Sequence, residues 1–251
     1  MKFLAAFQFL TSIPVPGEGQ ASPQDLGRST GYFPLVGLII GLILAGLNWL
    51  CQLFLPPSLV SALLLIAVVI ITGALHLDGL ADTLDGIAGQ KSTEERWQAM
   101  RDSRAGAFGI IGIVLLLLVK YVSLNSLPTP LMTPALVLMP TVSRWAMVYA
   151  IFVYPYARPS GLGQVFQQET NWPQFTLATI ITLVVTAALV IPLGFGALMI
   201  MFLIWLLTVV MAAYFKSRFS GLTGDNYGAI GEVAEVMVLV MVIIFARLGL
   251  A

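Results

Sequence analysis

Residues 31 to 54 read GYFPLVGLIIGLILAGLNWLCQLF, a stretch without a single charged side chain. A helix of about 20 apolar residues is long enough to cross the hydrocarbon core of a bilayer. None of the apolar stretches alternates with a period of two, so helices are expected rather than strands. The sequence therefore predicts an all-α, polytopic membrane helix bundle with about seven transmembrane helices. The other six runs are residues 58 to 75, 107 to 124, 133 to 153, 175 to 192, 196 to 215 and 236 to 250.

The composition agrees with a membrane protein and excludes several other classes. Hydrophobic residues make up 59% of the 251 residues and charged residues only 10%, whereas soluble domains carry about 25% charged residues. The net charge is zero, so a nucleic-acid partner is not expected, because such binding needs a concentrated basic surface. No soluble domain is visible, and residues 1–251 are interpreted as a single integral-membrane catalytic domain. The single cysteine, Cys51, has no partner within the chain.

Most of the charged residues lie on every second connecting segment, and this asymmetry predicts the orientation of the chain in the membrane. The turns near residues 55 to 57, 125 to 130 and 193 to 195 hold no charge. Basic residues mark the cytoplasmic side, so the N-terminus is predicted to be cytoplasmic. The same assignment places all 12 carboxylates on that side. The basic residues of the inner segments are Lys2, Arg28, Lys91, Arg96, Arg101, Arg104, Arg158, Lys216 and Arg218.

The first residues predict a short helix before the first membrane run. Phe3, Leu4, Phe7 and Leu10 form an apolar face at helical spacing, and the prolines at 14 and 16 end it. We interpret this segment as an interfacial helix. A cleaved signal peptide is the alternative, although the apolar run is short and lacks a small-residue cleavage site.

An acidic motif, HLDGLADTLDGIAG at residues 76 to 89, follows the second run directly. If the helix continues, Asp78, Asp82 and Asp85 share one face, because they stand at i, i+4 and i+7. Three carboxylates at one patch repel one another unless a cation lies between them. The motif therefore predicts a site for Mg²⁺, with Mn²⁺ as the alternative. A solvated acidic loop is the other interpretation.

A second polar cluster, MRDSRAGAFG, occupies residues 100 to 109. Arg101 and Arg104 are candidates for holding phosphate oxygens in a bidentate manner. Asp102 is a candidate for metal binding or for accepting a proton, and Ser103 is a further candidate substrate contact. The alternative for the arginines is anchoring at the membrane surface. His76, at the start of the first motif, is as consistent with a capping role as with substrate binding.

Two further features are expected to face the same polar region. Arg144 lies inside the fourth apolar run, where a charge is costly unless it faces a polar cavity; an arginine that snorkels to the interface is the alternative. Near the end of the chain, Asp225 lies in a glycine-rich turn, and Glu232 and Glu235 share a helix face. We predict that all four residues contact substrate. An ordinary interhelical loop is the alternative for the last three.

These motifs together resemble one family. The strings HLDGLADTLDG, MRDSRAGAFG, SRW at residues 143 to 145 and GLTGDNYGAIGE at residues 221 to 232 are similar in order and spacing to those of cobalamin synthase, also called adenosylcobinamide-GDP ribazoletransferase. The early string FPLVGLIIG, residues 33 to 41, fits as well. The resemblance covers nearly the whole chain.

The resemblance implies a reaction and a set of roles. The reaction joins adenosylcobinamide-GDP to α-ribazole, or to its 5′-phosphate, and releases GMP in the last step of cobalamin biosynthesis. It implies an enzyme of the bacterial cytoplasmic membrane whose active site faces the cytoplasm. Asp78, Asp82 and Asp85 are then expected to hold the metal, and Asp82, Asp85 and Asp102 to be catalytic. The expected substrate contacts are His76, Arg101, Ser103, Arg104, Arg144, Asp225, Glu232 and Glu235.

Two alternative functions stay open at this point. A CDP-alcohol phosphotransferase of phospholipid synthesis uses a similar row of aspartates. An ion-coupled transporter also needs acidic residues and a buried arginine, but it is expected to place them near the midplane. The oligomeric state is open too, because Gly37 and Gly41 form a small-residue pair that packs helices either within one chain or between the chains of a homo-oligomer.

Overall fold

The computed structural model describes residues 2–14, 22–88, 92–102, 104 and 106–250. These residues form α-helices joined by short turns, and a 3₁₀ turn covers Arg28–Tyr32. The helices are Lys2–Leu10 (α1), Pro23–Gly27 (α2), Phe33–Cys51 (α3), Pro57–Thr72 (α4), Leu75–Ile87 (α5), Thr93–Ala99 (α6), Ala107–Ser126 (α7), Thr129–Val153 (α8), Leu162–Glu169 (α9), Trp172–Ala188 (α10), Val190–Leu193 (α11), Gly196–Phe219 (α12) and Gly224–Arg247 (α13).

Every predicted apolar run coincides with a helix, and the all-α, polytopic membrane architecture is confirmed. In the described part of the chain, the helices that are long and apolar enough to cross a membrane are α3, α7, α8, α12 and α13. A sixth span is obtained only if α4 and α5 count as one despite an 87° bend. Helix α10 has 17 residues, slightly short of the usual 20. The count of seven and the cytoplasmic N-terminus therefore stay predictions.

Helix α8 is the central element of the bundle. The most apolar stretch of α8 is 83% buried by the rest of the protein, whereas the corresponding stretch of α7 is only 22% buried. A helix that is covered on all sides lies in the interior, whereas α7 presents most of its surface to lipid. The prolines at 134 and 140 lie inside α8, and such prolines are tolerated in membrane helices because neighbouring groups take up the freed carbonyls.

Two glycines bring α3 into contact with the backbone of α8. A Cβ atom on Gly37 would lie 2.3 Å from the carbonyl oxygen of Pro140, and one on Gly41 would lie 2.7 Å from that of Leu136. Only glycine permits this approach. The small-residue pair seen in the sequence therefore packs two helices of the same chain, and it lends no support to a homo-oligomer.

The second apolar run does not continue straight into the acidic motif. Gly73 and Ala74 both adopt left-handed conformations, with φ of +59° and +57°, and they separate α4 from α5. The expectation of a continuous helix is wrong for this reason. All three aspartates nevertheless lie within α5, so their predicted helical spacing is confirmed.

The break is stabilised by the segment that follows α1. Helices leave their last carbonyl groups without partners, and Ser12 binds two of those at the end of α4. Its amide donates to the oxygen of Ile71 at 2.7 Å, and its hydroxyl donates to that of Ile70 at 2.6 Å. The predicted helix α1 is confirmed, with Ala6 and Leu10 fully buried. Its placement at the membrane interface stays a prediction.

The last helix begins earlier than predicted, at Gly224 instead of residue 236. Thr223 and Asn226 form a reciprocal capping box. The hydroxyl of Thr223 accepts from the amide of Asn226 at 3.3 Å, and the side-chain oxygen of Asn226 accepts from the amide of Thr223 at 2.9 Å. Glu232 and Glu235 therefore lie inside the spanning helix, not in the loop that precedes it.

The contact between α3 and α8 generates a stability prediction. Gly37→Ala should destabilise the protein by about 1–3 kcal/mol, because the added methyl group overlaps the backbone of α8. Thermal unfolding of the detergent-solubilised protein, followed by size-exclusion chromatography, measures this. Gly46→Ala on the same helix is the matched control, because its Cβ would meet nothing within 4 Å. Equal melting temperatures for the two variants would contradict the proposed packing.

Candidate active site

Helix α5 separates a buried face from an acidic face. His76, Gly79 and Thr83 are buried. Asp78 is exposed, and Asp82 and Asp85 are partly exposed. The aspartates therefore share the polar side of the helix, as the sequence predicts, while its other side packs against the bundle.

The buried side of α5 lies against the first turns of α13. A Cβ atom on Gly79 would stand 2.9 Å from the carbonyl oxygen of Asp225, and one on Gly228 would stand 3.2 Å from the Cα of His76. The side chain of Asn226 also donates to the hydroxyl of Thr83 at 3.1 Å. These contacts bring Asp225 beside Asp78 and Asp82, although they are far apart in the sequence.

Asp225 is held by an arginine that the sequence interpretation did not include in the site. Arg158 donates to the Asp225 carboxylate at 3.1 Å. The loop that carries Arg158 pairs with the segment preceding α13: the amide of Ala157 donates to the oxygen of Leu222 at 2.8 Å, and the amide of Leu222 donates to that of Pro155 at 2.9 Å. This pairing places the arginine over the first turn of α13.

Negative charge exceeds positive charge around Asp82. Burial raises the pKa of Asp82 to about 7, the neighbouring carboxylates of Asp225 and Asp78 add to the rise, and Arg158 only partly opposes it. Among the described residues, no three histidine, cysteine or acidic side chains form a ready-made metal site. Mg²⁺, however, commonly binds through one or two carboxylates together with substrate phosphates and water. The donor set fits such an ion.

Asp85 is positioned differently from the other two aspartates. Its carboxylate accepts hydrogen bonds from the amides of Gly106 at 2.8 Å and Gly109 at 2.9 Å, so it caps the start of α7. A Cβ on either glycine would stand within 2.6 Å of the carboxylate oxygens, which explains the glycines in the second motif. The predicted metal-binding and catalytic roles of Asp85 stay predictions, since each oxygen can still accept a second bond.

The second motif lies beside Asp85 on the outer side of α5. Asp102 and Arg104 pair with each other at 2.9 Å, and this pairing lowers the pKa of Asp102 to about 2. Arg101 donates to the carbonyl of Trp97 at 3.2 Å. Asp85, Asp102 and Arg104 line an open groove of about 400 Å³. Ser103 lies outside the described residues.

Four charged side chains form a neutral network inside the bundle. Lys120 of α7 donates to Glu232 at 2.8 Å and to Glu235 at 2.7 Å. Arg144 of α8 pairs with Glu235 and also approaches Nδ1 of His76, at 3.5 Å. All five side chains are at least 94% buried. Glu235 lies about 16 Å along α13 from its first residue, near the middle of a bilayer-spanning helix.

The network lies behind His76 instead of on an open surface. His76 and Asp78 line a cavity of about 170 Å³, together with Asp225 and Tyr227, whereas Arg144, Glu232 and Glu235 do not line it. The structure therefore brings Arg144 to Glu235 and to His76, while Lys120 joins the two glutamates. The predicted substrate contacts of Arg144 and the two glutamates stay predictions.

Comparison with known proteins identifies the family. The profile of the family described as cobalamin-5-phosphate synthase matches residues 2–243. The chain belongs to this family. The predicted resemblance is therefore confirmed. No solved structure matches the chain significantly.

The chain is similar to several curated proteins of this family over nearly their full length. Three of these relatives, each named adenosylcobinamide-GDP ribazoletransferase, illustrate the similarity. The relative from Roseiflexus sp. (strain RS-1) is 37% identical over 98% of this chain and 90% of its own. The one from Geotalea daltonii (strain DSM 22248 / JCM 15807 / FRC-32) is 38% identical over 96% of both chains. The one from Pseudomonas fluorescens (strain Pf0-1) is 36% identical over 96% of this chain and 98% of its own.

The sequence interpretation missed two residues, Lys120 and Arg158. Lys120 lies within an apolar run, so a lysine there signals a buried partner, and it could have been found in the same way as Arg144. Arg158 was counted only as a topological charge. Its role depends on the pairing of two distant loops, which no local pattern reveals.

The buried network predicts a large and specific loss of stability. Lys120→Met should destabilise the protein by about 3–5 kcal/mol, because it leaves Glu232 charged and buried without its partner. Unfolding of the purified protein in detergent measures the effect. The double variant Lys120→Met, Glu232→Gln removes one charge of each sign and should recover much of the loss. If the double variant is no more stable than the single one, the network does not depend on charge balance.

Proposed function

We propose that this chain joins adenosylcobinamide-GDP to α-ribazole, or to its 5′-phosphate, and releases GMP. It would thus catalyse the transferase reaction for which its relatives are named, within cobalamin synthesis. The observation that carries the proposal is the convergence of three distant motifs on one site. The acidic motif, the groove-lining second motif and the start of α13 all meet around α5.

The bonds made and broken follow from the substrates. A ribose hydroxyl of α-ribazole attacks the phosphorus atom next to cobinamide. The new phosphorus–oxygen bond joins the two halves of the product, and the bond from that phosphorus to the bridging oxygen breaks. GMP leaves with the bridging oxygen, and the hydroxyl proton passes to a carboxylate.

The proton acceptor is assigned to Asp225, which is one of the residues that line the cavity. Asp102 was the earlier candidate from the sequence. Its hydrogen bonds to Arg104 keep its pKa near 2, so it accepts a proton poorly in this arrangement. Asp102 is instead suited to positioning Arg104 in the groove.

A divalent ion, Mg²⁺ or Mn²⁺, would be held by one or two of the carboxylates of Asp78, Asp82 and Asp85 together with the substrate phosphates. The ion would neutralise charge on the diphosphate and on the departing GMP. Burial and then the neighbouring carboxylates of Asp225 and Asp78 raise the pKa of Asp82, and a divalent ion would supply the counter-charge that favours the ionised carboxylate.

The diphosphate also needs positive side chains. Arg158 is 17% exposed and paired with Asp225 at the acidic cluster, and Arg104 is largely exposed at the groove. We assign phosphate binding to these two arginines, with Arg101 nearby. A planar guanidinium group binds two phosphate oxygens at once.

The two alternative functions gain no support from these observations. A CDP-alcohol phosphotransferase would use a similar aspartate row, but the family match favours the corrinoid donor. A transporter would use charged groups near the midplane. The midplane charges here neutralise one another and do not line the cavity.

The activity prediction concerns the acidic cluster. Membranes containing the protein should release GMP from adenosylcobinamide-GDP and α-ribazole only when a divalent ion is present. Asp82→Asn should abolish this release, because it removes a ligand charge without changing side-chain size. Asp225→Ala should lower the catalytic efficiency at least about tenfold, which corresponds to about 1.4 kcal/mol.

The matched control is Glu94→Gln, which alters an exposed carboxylate on α6. This variant should keep wild-type activity and expression. Full activity of Asp82→Asn would contradict the metal assignment, and metal-independent release of GMP by the wild type would contradict the proposed chemistry.

The orientation prediction follows from the charge asymmetry of the connecting segments. A reporter fused in the segment from residue 91 to residue 96 should lie in the cytoplasm, and one fused near Thr129 should lie outside it. Alkaline phosphatase and fluorescent-protein fusions, which are active on opposite sides of the membrane, measure this. The reverse pattern would place the site on the other side of the membrane.

A further inference from the structure

Two residues that line the cavity beside α5 each carry a buried polar atom without a protein partner. His76 is 2% exposed and Tyr227 is 3% exposed. In the described part of the chain, neither Nε2 of His76 nor the hydroxyl of Tyr227 has a hydrogen-bond partner. An unpaired buried polar group is costly, so these two residues are the first candidates for contact with a ligand in the cavity.

The neighbours of His76 determine which of its nitrogens carries the proton. Nη2 of Arg144 faces Nδ1 at 3.5 Å, and a guanidinium group donates hydrogen bonds but cannot accept them. Nδ1 is therefore the acceptor, which assigns the proton of the neutral ring to Nε2. His76 and Tyr227 both line the cavity, so the N–H group of His76 and the hydroxyl group of Tyr227 are the unpaired donors of its lining residues.

The rest of the wall is apolar and in part aromatic. Phe9 and Phe33 stack with their ring centroids 5.9 Å apart, and Phe166 contacts both, at 4.7 and 5.6 Å. All three rings line the cavity, and so do Met147 and Ile151. Aromatic walls favour flat aromatic ligands through stacked and edge-to-face contacts.

The size and the surroundings of the cavity limit the ligand further. A closed apolar cavity of about 150 Å³ binds benzene, and this cavity of about 170 Å³ is not fully enclosed. It can therefore receive an aromatic ring system that bears a larger substituent. Asp78 and Asp225 line the same cavity, so the substituent would lie at the acidic cluster.

We propose that this cavity binds the aromatic base of the acceptor nucleoside, with its ring nitrogen accepting a hydrogen bond from His76 or Tyr227. The inference rests on the proposed function and adds a subsite to it. The benzimidazole base of α-ribazole has two fused, largely apolar rings and one free ring nitrogen, which is an acceptor. The ribose then extends toward Asp78 and Asp225, where its hydroxyl groups meet the carboxylates.

The arrangement also predicts which bases are rejected. A guanine base carries ring N–H and amino donors along its edge. Against the apolar wall formed by the phenylalanines these donors would be buried without partners, which is costly. A benzimidazole base has no such donors, so it loses little on leaving water. The cavity therefore selects for apolar bicyclic bases.

The test compares two nucleosides that differ in one atom. α-Ribazole is compared with its indole counterpart, in which a C–H group replaces the free ring nitrogen. Wild-type protein in detergent should bind α-ribazole about three- to tenfold more tightly, since one hydrogen bond is lost in the analogue. Calorimetric binding without the donor substrate measures this preference directly.

The variants identify the donor. Tyr227→Phe removes only a hydroxyl group, and His76→Leu removes the ring N–H group. At least one of them should lose the preference for the ring nitrogen, while the KM for adenosylcobinamide-GDP stays unchanged. If neither variant alters the preference, the inference is overturned.

A third variant tests the cavity without touching either polar group. Gly224 lines the cavity, and a Cβ there would meet nothing within 4 Å. Gly224→Val should therefore fold normally and weaken nucleoside binding about tenfold or more by occupying the space. Gly46→Val on α3 is the control and should bind normally. Unchanged binding to a folded Gly224→Val protein would also overturn the inference.

Failure of this inference can be told apart from failure of the proposed function. If the wild type releases GMP but none of the cavity variants alters nucleoside binding, the base binds elsewhere and the proposed function stands. If the wild type binds α-ribazole in the cavity but forms no product with the donor, the subsite stands and the proposed reaction is wrong.

Discussion

Four charges buried among apolar helices must neutralise one another, and the arrangement of the bundle follows from that requirement. Lys120 and Arg144 supply two positive charges, and Glu232 and Glu235 supply two negative ones. Removing a single partner would leave a charge in a medium that cannot solvate it. The network therefore fixes the registers of α7, α8 and α13 relative to one another.

The same network reaches the reaction site through His76. Arg144 faces one nitrogen of the imidazole ring, and His76 itself is one of the residues that line the cavity. Gly79 lies against the backbone of Asp225 and Gly228 against that of His76, so α5 lies directly on α13. In this way the interior of the bundle sets the height and orientation of the acidic helix.

A cavity lies beside the start of α5 and a groove beside its end. The cavity is largely apolar and aromatic, and Asp78 and Asp225 form part of its wall. The groove contains Asp85, Asp102 and Arg104. Such a separation suits a two-substrate transfer, because the attacking hydroxyl of the acceptor and the leaving GMP of the donor must lie on opposite sides of the phosphorus. The carboxylates between the two spaces are suited to hold the diphosphate through a divalent ion.

Glycines allow the close contacts on which this arrangement depends. Gly79 and Gly228 permit the approach of α5 to α13, and Gly106 and Gly109 leave room for the carboxylate that caps α7. Larger residues at these positions would separate the helices and move the aspartates apart. The glycine-rich character of the motifs is thus explained by packing as much as by ligand binding.

The amino-acid sequence alone determined the all-α membrane architecture and the acidic helix, because apolar length and 3.6-residue periodicity are local properties. The same periodicity predicted that Asp78 and Asp82 share a helix face, whereas Asp225 was predicted from its glycine-rich turn; the roles of all three in the site stay predictions. The tertiary structure decided that α5 bends away from α4, that α13 begins at Gly224, and that Asp85 caps a helix. It also decided that Lys120 completes a buried network and that Arg158 pairs with Asp225. Those features depend on contacts between residues distant in the chain, and no local pattern encodes which buried charge finds which partner.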